Sequence, residues 1–512
     1  MGCAILKKSS GWCENEPLVF TDSNGDMYCI FHAPPTKKGT SKDKFNKLVL
    51  TKVQEALRWN KSCDLSYTVF EWDIAFEKRL PNLNFSKAVF EGMVVSSEAI
   101  FEKSVSFVGA QFKGGSFFST AEFREVAKFS GCIFEDVASF ESVKFSKDTY
   151  FNGTKFSGDA LFRNTKFGGD ANFIKAEFAA ANKAGLSGMA DFMGAEFSGI
   201  ANFKLSVFNK LISGVSSDAG ERYHDLSHTI FCKKVFFELV SFYEVVSFYR
   251  AKFDENGYFK GGSFEDYGVK YSVVQETPVF FERADFHEID IRKVLLFEGV
   301  GLGKVSFVGT DIRNINFGAA CKWLSENSGL FGRRWLLYDE LALCEKVKNI
   351  KEADCKAVEL LYQQLKQKAA ADHDWVKVSE WHYGEKEMRR KRPRKFWSVD
   401  FSGILPLLYW LSSGYAERPV RAGAVLCGMI IAVVFLMWWT GFELAKDFSE
   451  KYANSNVVSQ YFVNVFQYVT FDKTPIMKPK SLWGEAVVLF TRIFIPIQVG
   501  LFVLAIRNRY RR

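Results

Sequence analysis

The chain has 512 residues, of which 48% are apolar and 25% are charged, and these values exclude a wholly disordered chain and a collagen-like fibre. Its length suggests two to four domains. The 67 basic residues outnumber the 59 acidic residues only slightly, so the net charge of +8 does not indicate a nucleic-acid partner. Phenylalanine is unusually frequent, and its 53 copies indicate a repeated position that accepts one residue type.

The first residues hold a cluster of metal-ligand side chains, namely Cys3, Cys13, Cys29 and His32. Three thiolates and one imidazole complete a tetrahedral zinc site, and sites closed by four protein ligands are structural. A short polar segment without a core gains stability from such a metal. We therefore predict a zinc-binding segment over residues 1–45, followed by a helical cap over 46–84. The alternative is four unrelated residues, because nine residues separate the first two cysteines.

The first twenty residues are polar and contain cysteine, which is unlike a cleavable signal peptide. The later cysteines show no pairing pattern. We therefore expect reduced thiols in the cytoplasm.

Phenylalanine recurs from Phe112 to Phe178 with spacings that alternate between six and five residues. The residue two positions before each Phe is usually small, as at Ala110 and Ala121. A spacing of five matches neither the helical nor the strand period. It predicts a chain that turns a corner about every five residues, with the large and the small residue pointing inward. Neighbouring coils would then pair at the usual strand spacing.

This pattern resembles the Phe-rich form of the pentapeptide-repeat family, A-x-F-x-x-A-x-F, over roughly residues 85–317. The resemblance implies a β-solenoid, a right-handed quadrilateral β-helix, which we place at 85–320. The alternating spacing predicts about 22 residues per coil and about nine coils, or a rod of about 43 Å.

Three insertions interrupt the repeat near 179–191, 209–230 and 265–279. Loops that leave a rigid solenoid are suitable places for binding, so an unknown protein or ligand is a possible partner there. Neutral surface loops are the alternative. The second insertion contains His224 and His228, which we expect to be exposed histidines rather than a metal pair.

A helical linker is predicted over 321–400, because residues 335–391 are rich in Leu, Ala, Lys and Glu and indicate two or three amphipathic helices. Leu405–Leu411 predicts a short interfacial helix at the start of a membrane domain over 401–512. Residues 422–442 carry no charge and would span about 31 Å as a helix, so a first transmembrane helix is predicted at 421–442. A second is predicted at 482–506.

Basic residues indicate the orientation of these helices. Arg418 and Arg421 precede the first helix, and the run RRKRPRK occupies 389–395. After the second helix come Arg507, Arg509, Arg511 and Arg512. The positive-inside rule then predicts a multi-pass protein whose N-terminal domain and C-terminus are cytoplasmic. The basic run would contact the headgroups of membrane lipid rather than nucleic acid.

The external segment contains VVSQYFVNVFQYVTF at 457–471, which is apolar but too short to span a membrane. We predict a re-entrant or interfacial helix. Helix, re-entrant segment and helix is the plan of two-helix cation channels, and this analogy favours a homo-tetramer. The potassium filter sequence TVGYG is absent, and no glycine occurs at the corresponding positions. The sequence therefore does not support potassium selectivity. The filter-position candidates are Thr470, Phe471, Asp472 and Lys473.

Three further strings carry a second resemblance: 362–391, LYWLSSGYAERPVRA at 408–422, and IPIQVGLFVLAIRNRYRR at 495–512. They look like a bacterial family that places pentapeptide repeats before a two-helix, ion-channel-like membrane domain. The resemblance implies a homo-oligomeric ion channel in the bacterial inner membrane, with a cytoplasmic sensing or docking domain. It implies neither the conducted ion nor the trigger.

Charged residues inside the second helix support that function, because a pure anchor does not need them and they cost free energy in lipid. Arg492 lies about 15 Å into the helix, near the bilayer midplane. Pro496 permits a kink that could act as a gate hinge. The pore or gating candidates are Glu485, Arg492, Pro496 and Gln498.

The alternative is that these residues stabilise helix packing in a membrane-anchored scaffold that binds a protein through its β-helix. We find no catalytic motif and expect no enzyme activity.

Overall fold

The computed structural model describes residues 2–510 except 7, 9–10, 179–187, 209–222, 244, 262–279, 281–282, 319, 328–332, 346–351, 393–403, 446–455 and 473. The chain forms two compact units. The solenoid unit contains Met1–Trp323 and Leu337–Asp339, and the helical unit contains Leu324–Leu336 and Glu340–Arg512. Several predicted features lie outside the described residues: Lys473, Arg511, Arg512, residues 393–395 of the basic run, and most of the three insertions.

The solenoid has four sides, and each side is a parallel sheet of short strands. Within the described residues, side one comprises Ser62–Asp64, Asn82–Asn84, Val105–Ser106, Ala127–Lys128, Thr149–Tyr150, Ala171–Asn172, Ala201–Asn202, Val235–Glu238, Gly257–Lys260, Leu295–Glu298 and Ile315–Phe317. Side two comprises Val69–Phe70, Val89–Phe90, Gln111–Phe112, Ile133–Phe134, Lys155–Phe156, Glu177–Phe178, Val207–Phe208 and Ser241–Phe242.

Side three comprises Ile74–Ala75, Val94–Val95, Ser116–Phe117, Ala138–Ser139, Ala160–Leu161, Ala190–Asp191, His224–Asp225, Val246–Ser247, Ala284–Asp285 and Val305–Ser306. Side four comprises Arg79–Leu80, Ile100–Phe101, Glu122–Phe123, Lys144–Phe145, Lys166–Phe167, Glu196–Phe197, Ile230–Phe231, Lys252–Phe253 and Asp290–Ile291. The predicted β-solenoid is therefore confirmed.

The strand register explains the Phe spacing. Phe112 pairs with Phe134, and Phe134 pairs with Phe156, so each of these coils takes 22 residues as predicted. Their rings stack inside the solenoid, with centroids 4.6 Å and 5.1 Å apart, and none of the three is exposed. Phe recurs at this position in successive coils because each ring packs against the same ring in the next coil.

The small inward position also accepts a hydroxyl or a thiol. Thr154 and Thr165 are fully buried, and each donates a hydrogen bond to a backbone carbonyl of the preceding coil, at 2.7 Å and 2.6 Å. The thiol of Cys132 donates in the same way to Phe107. A buried polar group is tolerated here because its donor is satisfied.

The solenoid begins earlier than predicted. Ser62 already pairs with Asn82, so the coils start 23 residues before 85. The predicted helical cap over 46–84 is wrong beyond Arg58, where helix α1 (Lys42–Arg58) ends. The first coils take about 20 residues and bury Cys63, Leu65 and Leu80 beside Phe. A search for Phe spacing misses them, because other apolar residues fill the same slots.

The described residues around the insertions correct two further predictions. The second insertion ends by Tyr223, because His224–Asp225 and Ile230–Phe231 are solenoid strands. His224 is not an exposed histidine. It is fully buried, and its Nδ1 accepts a hydrogen bond from the Ala190 N–H at 3.2 Å. His228 lies at a corner with positive φ, so the two histidines do not converge.

Before the solenoid, Leu18–Thr21 and Met27–Cys29 form an antiparallel hairpin. The helical unit contains two more antiparallel pairs, Leu324–Asn327 with Arg333–Leu336 and Phe442–Leu444 with Met477–Pro479. The helices after the solenoid are α2 (Tyr338–Glu345), α3 (Glu352–Ala371), α4 (Trp375–Lys391), α5 (Ile404–Ser413), α6 (Pro419–Thr440), α7 (Val457–Val469) and α8 (Leu482–Tyr510). Each predicted C-terminal helix is present, with ends shifted by a few residues.

Two of these helices, α6 and α8, are long and apolar enough to cross a membrane. Helix α6 begins at Pro419, where a missing N–H is harmless, and ends before Gly441, whose φ is +76°. A core helix of a soluble protein is mostly buried, whereas only 17% and 28% of the most apolar stretches of α6 and α8 are buried.

Candidate functional site

The four predicted metal ligands converge. One ligand atom from each of Cys3, Cys13, Cys29 and His32 lies within 4.8 Å of all the others, and all four residues are buried. The His32 Nδ1 is 3.1 Å from the Cys29 Sγ and 3.4 Å from the Cys3 Sγ. Tetrahedral zinc with sulfur at about 2.3 Å separates two sulfurs by about 3.8 Å, so this cluster has the size of a metal site.

Local structure positions these ligands. Cys29 ends a hairpin strand, and the following turn carries His32, whose N–H donates to the Cys29 carbonyl at 3.0 Å. The His32 Nε2 lies 3.1 Å from the Ser66 carbonyl oxygen. This contact assigns the proton to Nε2 and turns Nδ1 toward the thiols, which is the usual arrangement of a metal-binding histidine. The cluster therefore ties the N-terminal segment to the first coil of the solenoid.

Without an ion, burial favours the neutral forms of Cys29 and His32. Burial raises the pKa of the Cys29 thiol to about 12 and lowers the pKa of His32. Buried Lys38 donates to the carbonyls of Ile30 and Phe31 at 2.7 Å and 3.1 Å, and burial lowers its pKa to about 8. Three thiolates around a divalent ion carry a net charge of −1, which the nearby lysine would balance. The donor set and its surroundings fit a metal.

A second group of side chains joins α4 to both candidate spanning helices, and the sequence pattern indicated its arginines only as cytoplasmic flanks of those helices. The carboxylate of Glu380 accepts two hydrogen bonds from Arg418 at 3.1 Å and 2.9 Å, and one from Arg509 at 2.6 Å. Glu380 and Arg418 are both buried. Arg418 precedes α6 and Arg509 lies in the last turn of α8, so one carboxylate joins the N-terminus of α6 to the C-terminus of α8. In the sequence, Arg418 lies in the string GYAERP, which belongs to the second resemblance but does not indicate an ion pair with Glu380.

The turn before α6 is strained. Gly414, Tyr415 and Ala416 are three consecutive residues with φ between 56° and 61°, a region that disfavours ordinary side chains. The Ser413 Oγ accepts from the Ala416 N–H, and Asn508 of α8 donates to the Ala416 carbonyl at 3.1 Å. These contacts hold the turn in place.

Glu417 follows this turn and is 5% exposed. Its carboxyl group accepts from the Ser379 hydroxyl at 2.5 Å. Burial raises the pKa of Glu417 to about 7, and the Ser379 hydrogen bond and the charge of Arg418 only partly oppose this effect.

Helix α7 occupies the predicted re-entrant segment and is fastened to the strand that follows it. The Asn464 Oδ1 accepts from the Met477 N–H at 3.1 Å, and the Tyr468 hydroxyl donates to the Met477 carbonyl at 2.8 Å. The Gln467 Oε1 accepts from the Ile476 N–H at 2.8 Å. One side of α7 packs against α6 and α8 through Tyr461, Val465 and Tyr468.

The filter-position candidates form a capped turn. The Thr470 hydroxyl donates back to the Phe466 carbonyl at 3.0 Å, and Phe471 has a φ of +57° with 62% of its surface exposed. The Asp472 side chain accepts from the Thr474 N–H at 3.1 Å. Lys473 lies outside the described residues. The described candidates therefore form a turn stabilised by its own side chains.

The four pore or gating candidates have different environments. The Arg492 guanidinium lies 5.4 Å from the Tyr468 ring and 5.7 Å from the Phe471 ring, and its buried Nε has no hydrogen-bond partner in the part of the chain that the structure describes. Glu485 is exposed. Pro496 lies inside α8 without ending it. Gln498 is buried and donates to the carbonyls of Ser412 and Ala422, at 2.9 Å each, so it joins α5, α6 and α8.

Comparisons with known proteins support the repeat. Residues 140–182 match the family model described as pentapeptide repeats, with nine copies. No curated protein and no solved structure matches the chain. The matched segment and the stacked parallel sheets together define a pentapeptide-repeat solenoid, followed by a helical region with two apolar helices.

Proposed function

We propose that this protein is a homo-oligomeric channel of a bacterial inner membrane, and that its solenoid is a cytoplasmic sensing or docking domain. The observation that carries this proposal is Arg492. A charged residue inside a candidate spanning helix is costly in lipid, and in membrane proteins such residues face a protein interior or a water-filled path. Arg492 faces the rings of Tyr468 in α7 and of Phe471 just after it, and its buried Nε has no hydrogen-bond partner among the described residues.

The arrangement around Arg492 also supports a channel. Helix α7 is too short to span a membrane. It lies between the two candidate spanning helices in the sequence, and it packs against both of them. Non-helical backbone at membrane depth requires protein or water around it. Here the chain after α7 is held by that helix, because Ile476 and Met477 form hydrogen bonds with its side chains. In an oligomer, a ring of Arg492 side chains would repel cations and favour anions or a closed resting state.

The Cys/His cluster has a structural role in this proposal. Zinc held by Cys3, Cys13, Cys29 and His32 would close the coordination shell with four protein ligands and leave no position for substrate. We assign the metal to folding of the N-terminal segment rather than to catalysis, and we expect no enzyme activity.

The test is conductance of the purified full chain in a planar bilayer with asymmetric salts. We expect Arg492→Ala to change the conductance or the reversal potential, and Arg492→Lys to preserve the sign of ion preference. Arg507→Ala is the matched control, because Arg507 is an exposed arginine near the end of the same helix. Its reversal potential should equal that of the parent chain.

The second candidate function is a membrane-anchored scaffold that binds a protein through the solenoid. The segment that contains Thr470–Asp472 favours it, because its sequence lacks the TVGYG string whose carbonyls form a potassium filter. A bilayer without conductance, together with Arg492 variants that only lower oligomer stability in detergent, would favour the scaffold and contradict the channel.

A further inference from the structure

A long cavity of about 960 Å³ lies within the helical unit, beside the candidate spanning helices. Its volume is within the range of sites that enclose small molecules. The wall is formed by apolar side chains of three helices: Leu408 and Leu411 of α5, Val425 and Met429 of α6, and Phe494 and Leu501 of α8. Two of these, Leu408 and Leu411, are more than half exposed on a helix of ten residues. Such a surface requires an apolar occupant.

The rim of the same cavity is basic. Helix α4 contributes Lys386, Arg389 and Arg390, whose spacing places them on neighbouring positions of one helix face. Arg389 pairs with Glu359 at 2.9 Å, and Arg390 pairs with Glu387. Lys386 makes no hydrogen bond or ion pair with any residue that the structure describes, so its charge is available to a ligand.

We infer that this cavity binds one anionic phospholipid, with the phosphate at Lys386 and an acyl chain along the apolar wall between α5, α6 and α8. An apolar cavity with a cationic rim matches an amphiphile that has a negative head. Basic pockets between membrane helices are suitable sites for anionic headgroups. The cavity also adjoins α5, whose exposed leucines suit the interface of a bilayer. The inference rests on the membrane insertion in the proposed function but not on ion conduction.

The bound lipid would act on the contacts that join α4 to α5. Arg390 stacks on Trp410 of α5, with the guanidinium carbon 4.6 Å from the ring centroid. Its partner Glu387 also accepts from the Tyr415 hydroxyl at 3.3 Å. A phosphate that reaches this rim competes with Glu387 for Arg390. Lipid binding would therefore change the coupling of the linker to the turn before α6.

The experiment is native mass spectrometry of the full chain, delipidated in detergent and then exposed to equal amounts of phosphatidylglycerol and phosphatidylcholine. We expect one lipid per chain, with phosphatidylglycerol preferred. Lys386→Ala should weaken the binding of phosphatidylglycerol about fivefold, because one surface lysine contributes about 1 kcal/mol to anionic-lipid binding. The same substitution should leave the affinity for phosphatidylcholine unchanged. Leu501→Trp, which fills the cavity, should remove both lipids.

Lys377→Ala is the matched control for the charge. Lys377 also lies on α4, nine residues earlier and therefore on the opposite face, where it pairs with Asp374 at 2.9 Å. The Lys377→Ala chain should bind both lipids with the affinity of the parent chain. If Leu501→Trp fails to fold, Val425→Phe narrows the same cavity with a smaller change in volume.

Three results would overturn the site. One is equal binding of the two lipids by the parent chain. Another is equal loss of phosphatidylglycerol in Lys386→Ala and Lys377→Ala. The third is a Leu501→Trp chain that keeps its lipid but loses oligomer mass, which would mean that a second copy of the chain occupies the cavity. A chain recovered only from the soluble fraction would instead contradict the proposed membrane function.

Discussion

The solenoid unit and the helical unit differ in how many charged side chains they bury. Inside the solenoid, most fully buried residues are apolar, above all Phe and Ala, and buried hydroxyls and thiols donate to backbone carbonyls. The helical unit buries carboxylates as well: besides Glu417, five of its described glutamates are at most 5% exposed, namely Glu340, Glu359, Glu380, Glu385 and Glu387. Each of them accepts from a basic side chain.

This difference has a physical consequence. Truncation of a stacked ring removes packing contacts with the rings above and below it. The loss is confined to that coil and its two neighbours. Removing one member of a buried ion pair leaves the other charge uncompensated, which costs more than the pair itself contributes. The solenoid is therefore suited to be a rigid body, and the helical unit is suited to respond to charge.

The largest expected effect is on the metal cluster, which is the exception to an apolar core in the solenoid unit. Cys29→Ser should reduce bound zinc from about one per chain to less than about 0.1 and unfold the N-terminal segment, because metal binding supplies its folding free energy. Metal analysis and hydrogen exchange over 2–45 measure both effects. Cys132→Ser is the control, since that buried thiol only donates a hydrogen bond. Stoichiometric zinc in Cys29→Ser would contradict the assignment.

Next in size is the buried ion pair before α6. Glu380→Gln removes the charge that Arg418 and Arg509 share, and we expect a loss of about 3–5 kcal/mol in the free energy of unfolding of the helical unit. Denaturant titration of the chain in detergent measures it. Glu91→Gln is the surface counterpart, because Glu91 and Lys113 form an exposed pair in the solenoid, and it should cost under about 1 kcal/mol. Equal costs would contradict the contrast between the two units.

Truncation of a stacked ring tests the solenoid core. Phe162 lies between Phe140 and Phe192, with centroids 5.0 Å and 4.8 Å away, and Phe162→Ala should cost about 3–5 kcal/mol through the cavity it leaves. Outward-facing Lys155→Ala should cost under about 0.5 kcal/mol. Thermal unfolding compares them, and equal shifts would mean that the assigned inward and outward positions are wrong.

The smallest effect is a pH dependence in the helical unit. Burial raises the pKa of Glu417 from 4.5 to about 7, so the folded chain binds this proton more tightly than the unfolded chain. Its contribution is complete below pH 4.5 and is lost as the pH rises through about 7, by at most about 3 kcal/mol. The groups facing it are Ser379, Glu380, Arg418 and Arg509. Glu417→Gln should unfold with less pH dependence between 5 and 8, and an unchanged pH profile would remove Glu417 as the cause.

The sequence by itself determined the solenoid, because its side chains repeat. A slot that recurs every five or six residues leaves a spacing in the chain that is readable without coordinates, and the 22-residue coil followed from it. The same holds for α6 and α8, which are long and apolar enough to cross a bilayer core. The four metal ligands were also readable, since few other roles combine Cys and His in so short a segment.

Only the tertiary structure decided the rest. The spacing of Phe does not reveal the first coils, because Leu and Cys fill their inward positions. The fold requires apolar side chains of suitable volume at these positions rather than one residue type. His224 is buried because its ring nitrogen finds a backbone donor in the neighbouring coil. Glu380, Arg418 and Arg509 stand far apart in the chain and in no repeated pattern. Their pairing depends on which helix ends meet, and residue spacing carries no information about that.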